Sequence, residues 1–457
     1  MNDLNNIPTN KENLDKYEVD NIYHSWGYQS QNSPMRVVGA KGLRFTTEDG
    51  RERLDFSSCF VSHNIGHQDQ RVIDAICRQA QKLTSFAPSF STEPRAVLGK
   101  ILEEVTPGDL SYSFISLGGT EANEAAIKIA QQYTGKRKIL GRYRSYHGGT
   151  GASMSVSCGD PRSWAVVSGK TEVVPVPQPY VYRWPFSDNP TEVAEQCIKC
   201  TEQIIQFEGG DEQIAAIIFE PITGANGIIV PPDEYFPRLR ELCDKYGILM
   251  IADEVMTGFG RTGKWFAMDH WNTVPDIMSM AKGITSGYVP MGNTITTKKI
   301  GKYFQEQMFS HGATYAGHAL GCAAAAEVIK IYQTDNLIEN SAVMGEYLLE
   351  KSKELMEKHP VIGDVRGKGL FVGLELVKNR TTKEPLIPLD AKIRKGMNPK
   401  LELAKRLGEL GMMAMAANPS NVVALAPALI ATKADIDEGI SIMDEALKSI
   451  DHYAEQN

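Results

Sequence analysis

Between residue 70 and about residue 334, short apolar runs alternate with amphipathic stretches, and few folds accept that pattern. QRVIDAICRQAQKL (70–83) repeats its apolar residues at helical spacing, and SYSFISL (111–117) reads as a strand. TEANEAAIKIAQQYTG (120–135) reads as a helix stopped by Gly135. QIAAIIFEP, YFPRLRELCDKYG, ILMIADEV, DIMSMA and HALGCAAAAEVIKIYQ follow as strand, helix, strand, strand and helix. Such alternation calls for an open, mostly parallel sheet with right-handed crossovers. Ile248 to Ala252 is apolar or small without a break, as in a strand buried on both faces. The expected fold class is therefore α/β, and ligands of such sheets collect at the carboxyl ends of the strands.

Flanking regions complete a plan of three parts. RFTTEDGRERLDFSS (44–58) reads as a hairpin turning at Asp49-Gly50. From about residue 335 come helix SAVMGEYLLEKSKELMEKH, strand GLFVGLELV, a polar connection KNRTTKEPLIPLDAKIRKGMNP, helix KLELAKRLGEL, strand NVVALAP and helix KADIDEGISIMDEALKSI. The expected division is residues 1–70 joining a smaller α+β domain at 335–457, with a large ligand-binding domain at 71–334.

Bulk properties restrict the function. A net charge of −8 and a pI near 5.7 offer no broad basic surface for nucleic acid or an anionic membrane. The polar N-terminus MNDLNNIPTNKENLDKYEVD has no apolar signal core, and no stretch approaches the length that spans a bilayer. Seven scattered cysteines give no disulfide framework, and a cytoplasmic location is expected. Cys197 and Cys200 form one C-x-x-C inside a helical pattern, with no second pair or nearby histidines, so no metal site is expected.

The strand ends carry the chemistry. SYSFISL runs into Gly118-Gly119-Thr120 and then a helix: glycines admit a close ligand, and a helix N-terminus attracts an anion such as phosphate. DIMSMA ends at Lys282-Gly283, where partial burial makes an amine nucleophilic. Tyr146 and His147 precede a glycine-rich turn and offer aromatic faces. ILMIADEV ends at Asp253 and Glu254; a carboxylate there needs a partner. Singly, these are a tight turn, a snorkelling lysine and a packed aromatic. Together they suit pyridoxal phosphate, whose phosphate must be seated, whose aldehyde takes a lysine, and whose ring nitrogen needs an acid. Asp253 is assigned to that nitrogen, and Glu254 to a cap on the following turn or a local salt bridge. Gly258 to Gly263 matches G-x-G-x-x-G, but no amphipathic helix follows, so a nicotinamide site is not supported.

These residues make the chain resemble a class III (ω-type) aminotransferase of the fold-type I pyridoxal phosphate enzymes. The motifs are LGGTEANEAAIK, SYHGGT, IIFEPITGANG, IADEVMTGFGRTGKWFA, AKGITSGYVPMG and HGATYAGHALGCAAA, in the family's order over residues 20–450. The resemblance implies that Lys282 is the Schiff-base lysine and proton carrier. Asp253 pairs with the pyridine nitrogen, Val255 and Tyr146 cover the two ring faces, Gly119 and Thr120 hold the phosphate, and Glu220 acts on the cofactor's hydroxyl side. Thr314 reaches the phosphate of a neighbouring subunit, which implies a homodimer or a dimer of dimers.

The resemblance is strongest to ω-amino acid:pyruvate and taurine:pyruvate aminotransferases, including the opening YHSWGYQ, where Trp26 is expected to line the pocket. Glutamate-using members carry glutamate at the position of Ala225 and an arginine in the C-terminal segment. Here the last arginine is Arg406, so pyruvate is the expected acceptor and taurine or β-alanine the donor type. With no C-terminal arginine, Arg183 is the expected substrate contact, with Arg162 and Arg144 as other candidates. Alternatives are a diamine donor, 2-oxoglutarate as acceptor, an aminomutase or decarboxylase on the same fold and, outside the class, an NAD-dependent oxidoreductase.

Overall fold

The computed structural model describes residues 7–26, 29, 35–165, 172–388, 398–416 and 420–455. The polar connection and the segment GMMAMAANPS lie partly outside them, at residues 389–397 and 417–419. Strands β1 (Val37–Lys41), β2 (Arg44–Thr47) and β3 (Glu52–Asp55) form an antiparallel meander, with the expected turn between β2 and β3.

The main sheet contains β4 (Leu110–Ser116), β5 (Lys138–Arg142), β6 (Val173–Val176), β7 (Ile214–Phe219), β8 (Leu249–Asp253), β9 (Ile277–Met280) and β10 (Gly292–Thr297). Their spatial order is β4-β10-β9-β8-β7-β5-β6. Strand β10 runs antiparallel to β4 and β9, and every other pairing is parallel. All of β7 and β9 is buried, which accounts for their unbroken apolar sequences.

Helix Gly119–Thr134 lies close on this sheet through Ala122, Ala125, Ala126 and Ala130, whose small side chains permit the approach. Thr294 Oγ1 donates to the Ala122 carbonyl at 2.7 Å, tying the helix to β10. Gly135 ends the helix in the left-handed conformation (φ 70°), as the sequence requires.

Strands β11 (Ile362–Gly367), β12 (Val372–Asn379), β13 (Glu384–Pro385) and β15 (Val422–Leu425) form an antiparallel sheet around β12. Strand β14 (Met412–Met413) pairs in parallel with β3, so the N-terminal meander and the C-terminal region share one sheet. Among the described residues no helix is long and apolar enough to cross a membrane.

Cys197 and Cys200 lie in the helix Pro190–Phe207, where Cys197 is buried. Metal-type ligand atoms come together elsewhere: those of Cys59, His63 and His67 lie within 4.8 Å of one another. There Asp55 Oδ2 already bonds His67 Nε2 (3.1 Å) and the Cys59 amide (3.0 Å).

Candidate active site

Parallel strands place their carboxyl ends on one edge, and five of the six such ends here carry a reactive or anchoring group. Beyond β4 come Gly119 and Thr120, beyond β5 Tyr146 and His147, beyond β7 Glu220, at the end of β8 Asp253, and beyond β9 Lys282. Residues more than 160 positions apart in the chain thus share one edge of the sheet.

Gly118 is the N-cap of Gly119–Thr134, in extended conformation with no side-chain cap, so the first amides of a 16-residue helix face outward unsatisfied by a side chain. A Cβ on Gly119 would come 2.9 Å from Val255 Cγ1, so the two residues are in direct apposition. Thr120 Oγ1 accepts from the Gly149 amide at 3.2 Å. A Cβ on Gly148 (φ 150°) would reach 2.7 Å from that hydroxyl. Two glycine-bearing loops therefore converge on one helix N-terminus, an anion seat that extra methyl groups would fill.

Asp253 is 3% exposed and its carboxylate is held from three sides. Oδ2 accepts from Asn123 Nδ2 and bonds His147 Nδ1, both at 2.7 Å, and Oδ1 accepts from the Val255 amide at 3.1 Å. His147, fully buried, has no hydrogen-bond partner at Nε2 among the described residues. The sequence reading missed Asn123 and His147 as partners of this acid. One signal was available, since Asn123 is a polar residue on the alanine-rich buried face of its helix.

Glu220, 4% exposed, accepts from the Tyr146 amide at 3.0 Å and the Gly224 amide at 2.8 Å, and its carbonyl accepts from Arg142 Nη2. Burial pushes its carboxyl above the usual range. It thereby fixes both the Tyr146 loop and the turn that follows β7.

Lys282 has φ 46°, a left-handed conformation that costs a non-glycine residue of order 1 kcal/mol or more and that collects at functional positions. Burial pushes its amine below the ordinary lysine range, opposed by the charges of Asp253 and Glu220 and reinforced by Arg162. Burial beside two acids thus shifts this amine toward its nucleophilic, basic form and holds it in place.

The four adjacent groups fit pyridoxal phosphate on chemistry alone: an uncapped helix end for phosphate, a depressed lysine for the aldehyde, a buried acid for the ring nitrogen, and Tyr146 and Val255 as flanking surfaces. Glu254 caps rather than pairs. It accepts from Thr257 Oγ1 and, at 2.9 Å, from the Met268 amide, and no salt bridge forms among the described residues. Gly258 to Gly263 lie in turns followed by the short 3-10 helix Ala267–Trp271, so the dinucleotide context is absent.

The residues expected to meet substrate are placed less uniformly. Trp26 is exposed and meets Phe60 edge-on with centroids 6.1 Å apart. Phe60 stands on a turn in which Ser58, Cys59, Phe60 and Val61 all have positive φ, a feature no sequence pattern announced. Arg183, the expected substrate contact, is engaged within the chain through two of its three nitrogens. Its Nε bonds Glu375 and its Nη1 donates to the Lys383 carbonyl at 2.7 Å. The buried Glu375 carboxylate draws Arg183, Arg366 and the Tyr180 hydroxyl around it, as an interior charge must. Arg144 stacks on Tyr180 at 5.3 Å. Thr314 sits in an exposed turn and makes no bond to these groups among the described residues.

Comparison with known proteins identifies the family. Residues 27–447 match the family model described as aminotransferase class-III. A taurine–pyruvate aminotransferase from Bilophila wadsworthia is 39% identical over 446 residues, 94% of this chain and 96% of that protein. A putrescine–pyruvate aminotransferase from Pseudomonas aeruginosa is 36% identical over 358 residues, 76% of this chain and 78% of that one. A taurine:2-oxoglutarate aminotransferase structure from Bifidobacterium kashiwanohense, in complex with PLP and glutamate, superposes with a TM-score of 0.90 at 34% identity, covering 96% of this chain and 98% of that one.

Proposed function

The chain belongs to the class-III aminotransferases, which depend on pyridoxal phosphate, and from that premise we propose that it moves the amino group of an ω-amine or ω-amino acid of the taurine or β-alanine type to pyruvate, giving L-alanine. One observation carries the reading: a depressed lysine, Lys282, and a thrice-bonded acid, Asp253, end neighbouring strands beside an uncapped helix N-terminus. When bound, the cofactor supplies an electron sink for the carbon that loses its proton.

The protein's own residues do the rest. Lys282 Nζ anchors the cofactor, then takes the proton from the amine-bearing carbon of the donor and returns one in the second half-reaction. Asp253 keeps a positive partner at the ring nitrogen's place, with Asn123 and His147 fixing its orientation. Gly119 and Thr120 seat the phosphate, Tyr146 and Val255 confine the ring, and Glu220 sets the Tyr146 loop. We place Thr314 at the cofactor of a neighbouring subunit in a homodimer, assign residues 71–334 to cofactor binding, and place the enzyme in the cytoplasm.

Pyruvate as acceptor rests on Ala225, on the absence of an arginine after Arg406, and on the names of two relatives. A second reading, 2-oxoglutarate, is favoured by the structural relative that uses it. A donor–acceptor screen decides. Purified enzyme with taurine, β-alanine or putrescine is expected to make alanine from pyruvate at least tenfold faster than glutamate from 2-oxoglutarate. Glutamate as the faster product reverses the acceptor assignment. No transfer by wild type, or full transfer by Lys282→Ala, overturns the proposal.

A further inference from the structure

Taurine, β-alanine and pyruvate share one chemical feature, an anionic acid group, and a site for them needs a cation held at the reacting edge. We propose that Arg162 is that residue, binding the carboxylate or sulfonate of both substrates; this rests on the reaction proposed above.

Arg162 is built as a held fork. Asp160, fully buried, accepts from Arg162 Nε at 2.9 Å, from Nη2 at 2.6 Å and from the Arg162 amide at 2.8 Å. Asp160 is itself fixed by Asn226 Nδ2 at 2.8 Å, from the loop after β7 that also carries Ala225. The guanidinium carbon stands 3.6 Å from the centroid of the Tyr146 ring and 5.9 Å from that of Trp26. Two aromatic faces and one carboxylate thus fix its position with little rotamer freedom left to lose on binding.

Its open edge is what a ligand can use. Guanidinium has five N–H donors, and Asp160 takes the Nε side. Nη1 has no hydrogen-bond partner among the described residues, and the side chain keeps 21% exposure. That leaves the Nη1–Nη2 edge, whose two parallel donors match a carboxylate or two sulfonate oxygens. The placement is also electrostatically close to the reacting amine, since Arg162 is the arginine whose charge acts on Lys282. The other candidates do not meet both conditions: the unpartnered Nη2 of Arg183 is buried, and Arg144 lies over Tyr180 rather than over Tyr146.

The test uses holoenzyme and two unreactive anions, propionate and ethanesulfonate, which have neither amine nor ketone. In calorimetric titrations Arg162→Gln is expected to weaken both about thirtyfold, and Arg162→Lys, which keeps charge but not the fork, about fivefold. In kinetics the ratio of kcat/KM for β-alanine over that for 1-butylamine is expected to fall about thirtyfold in Arg162→Gln. Loss for one anion alone supports the site for that acid class. Unchanged binding of both anions by Arg162→Gln overturns the proposal, as does unchanged binding by Arg162→Lys where the glutamine variant does not fold. Wild type that transfers from 1-butylamine yet from no acid-bearing donor overturns the substrate reading itself, a failure distinct from that of Arg162 alone.

Discussion

A carboxylate offers about four lone-pair positions, and Asp253 has three of them filled, by Asn123, His147 and the Val255 amide. The fourth, on Oδ1, has no partner among the described residues. His147 is the partner with most leverage, because its Nδ1 is the ring nitrogen facing the acid while Nε2 has no partner among the described residues. Replacing His147 with Gln keeps a donor but carries it one bond beyond the place of Nδ1, so the fit to Asp253 is lost and the carboxylate gains freedom to turn. The expected outcome is a 10- to 100-fold loss in kcat with intact secondary structure, against roughly 1000-fold or more for Asp253→Asn, which removes the charge. The pH titration of the bound cofactor's visible band separates the two. It shifts strongly in Asp253→Asn and modestly in His147→Gln, whereas a merely structural role for His147 lowers the melting temperature and leaves the band in place.

Elements meet at glycines where a methyl group does not fit, and Gly119 shows the cost at the site. Alanine there would place Cβ 2.9 and 3.1 Å from the two Val255 methyls, so the β8 loop or the helix start must move, an overpacking of about 1–3 kcal/mol. Gly119→Ala is expected to weaken pyridoxal phosphate binding about tenfold in titrations of the apoenzyme, and Val255→Ala added to it is expected to recover most of that loss. The same helix and strands show what a sequence can carry. Helix Gly119–Thr134, β4, β7, β8 and β9 were legible because each is a run of one period ended by a glycine or a charged residue. So were Gly119, Thr120, Tyr146, Glu220, Asp253 and Lys282 as strand-end groups, since position on a parallel strand fixes which edge a residue occupies. Strand β10 was not legible, because GNTITT is polar by composition although buried between β4 and β9. Nor were the partnerships: Asn123 and His147 reach Asp253 across separations of 130 and 106 residues, and Asp160 turns Arg162 toward Tyr146 by a local hydrogen-bond fork. Side-chain direction across such distances leaves no periodic trace, and a sequence does not show that Glu375 lies beside Arg183.

At the scale of the whole molecule, the segment after β8 joins the site to the C-terminal region. Arg261, within the G-x-G-x-x-G match, is fully buried and donates to the carbonyls of Leu370 and Pro427 and to Asn64 Oδ1, so one side chain binds three distant segments. Gly260 and Gly263, both with positive φ, let the helix Leu337–Lys358 approach through Ile338 and Ala342. The glycine pattern is thus accounted for by packing. Glu254 sits at the root of this connection with no cation among the described residues, and burial pushes its carboxyl up to about 7. Its ordinary value is 4.5. The folded chain therefore holds this proton more tightly than the unfolded chain, and the contribution to stability is complete below pH 4.5 and lost as pH rises through 7. Across that window the difference corresponds to at most about 3 kcal/mol. Glu254→Gln keeps an oxygen for the Met268 amide and, as a neutral amide, removes the titration. Its melting temperature relative to wild type is expected to rise as the pH goes from 5 to 8, with guanidinium melts giving the difference directly. A constant offset between the two proteins over that range shows that Glu254 does not titrate there, and the buried acid must then be carried ionised by its two donors alone.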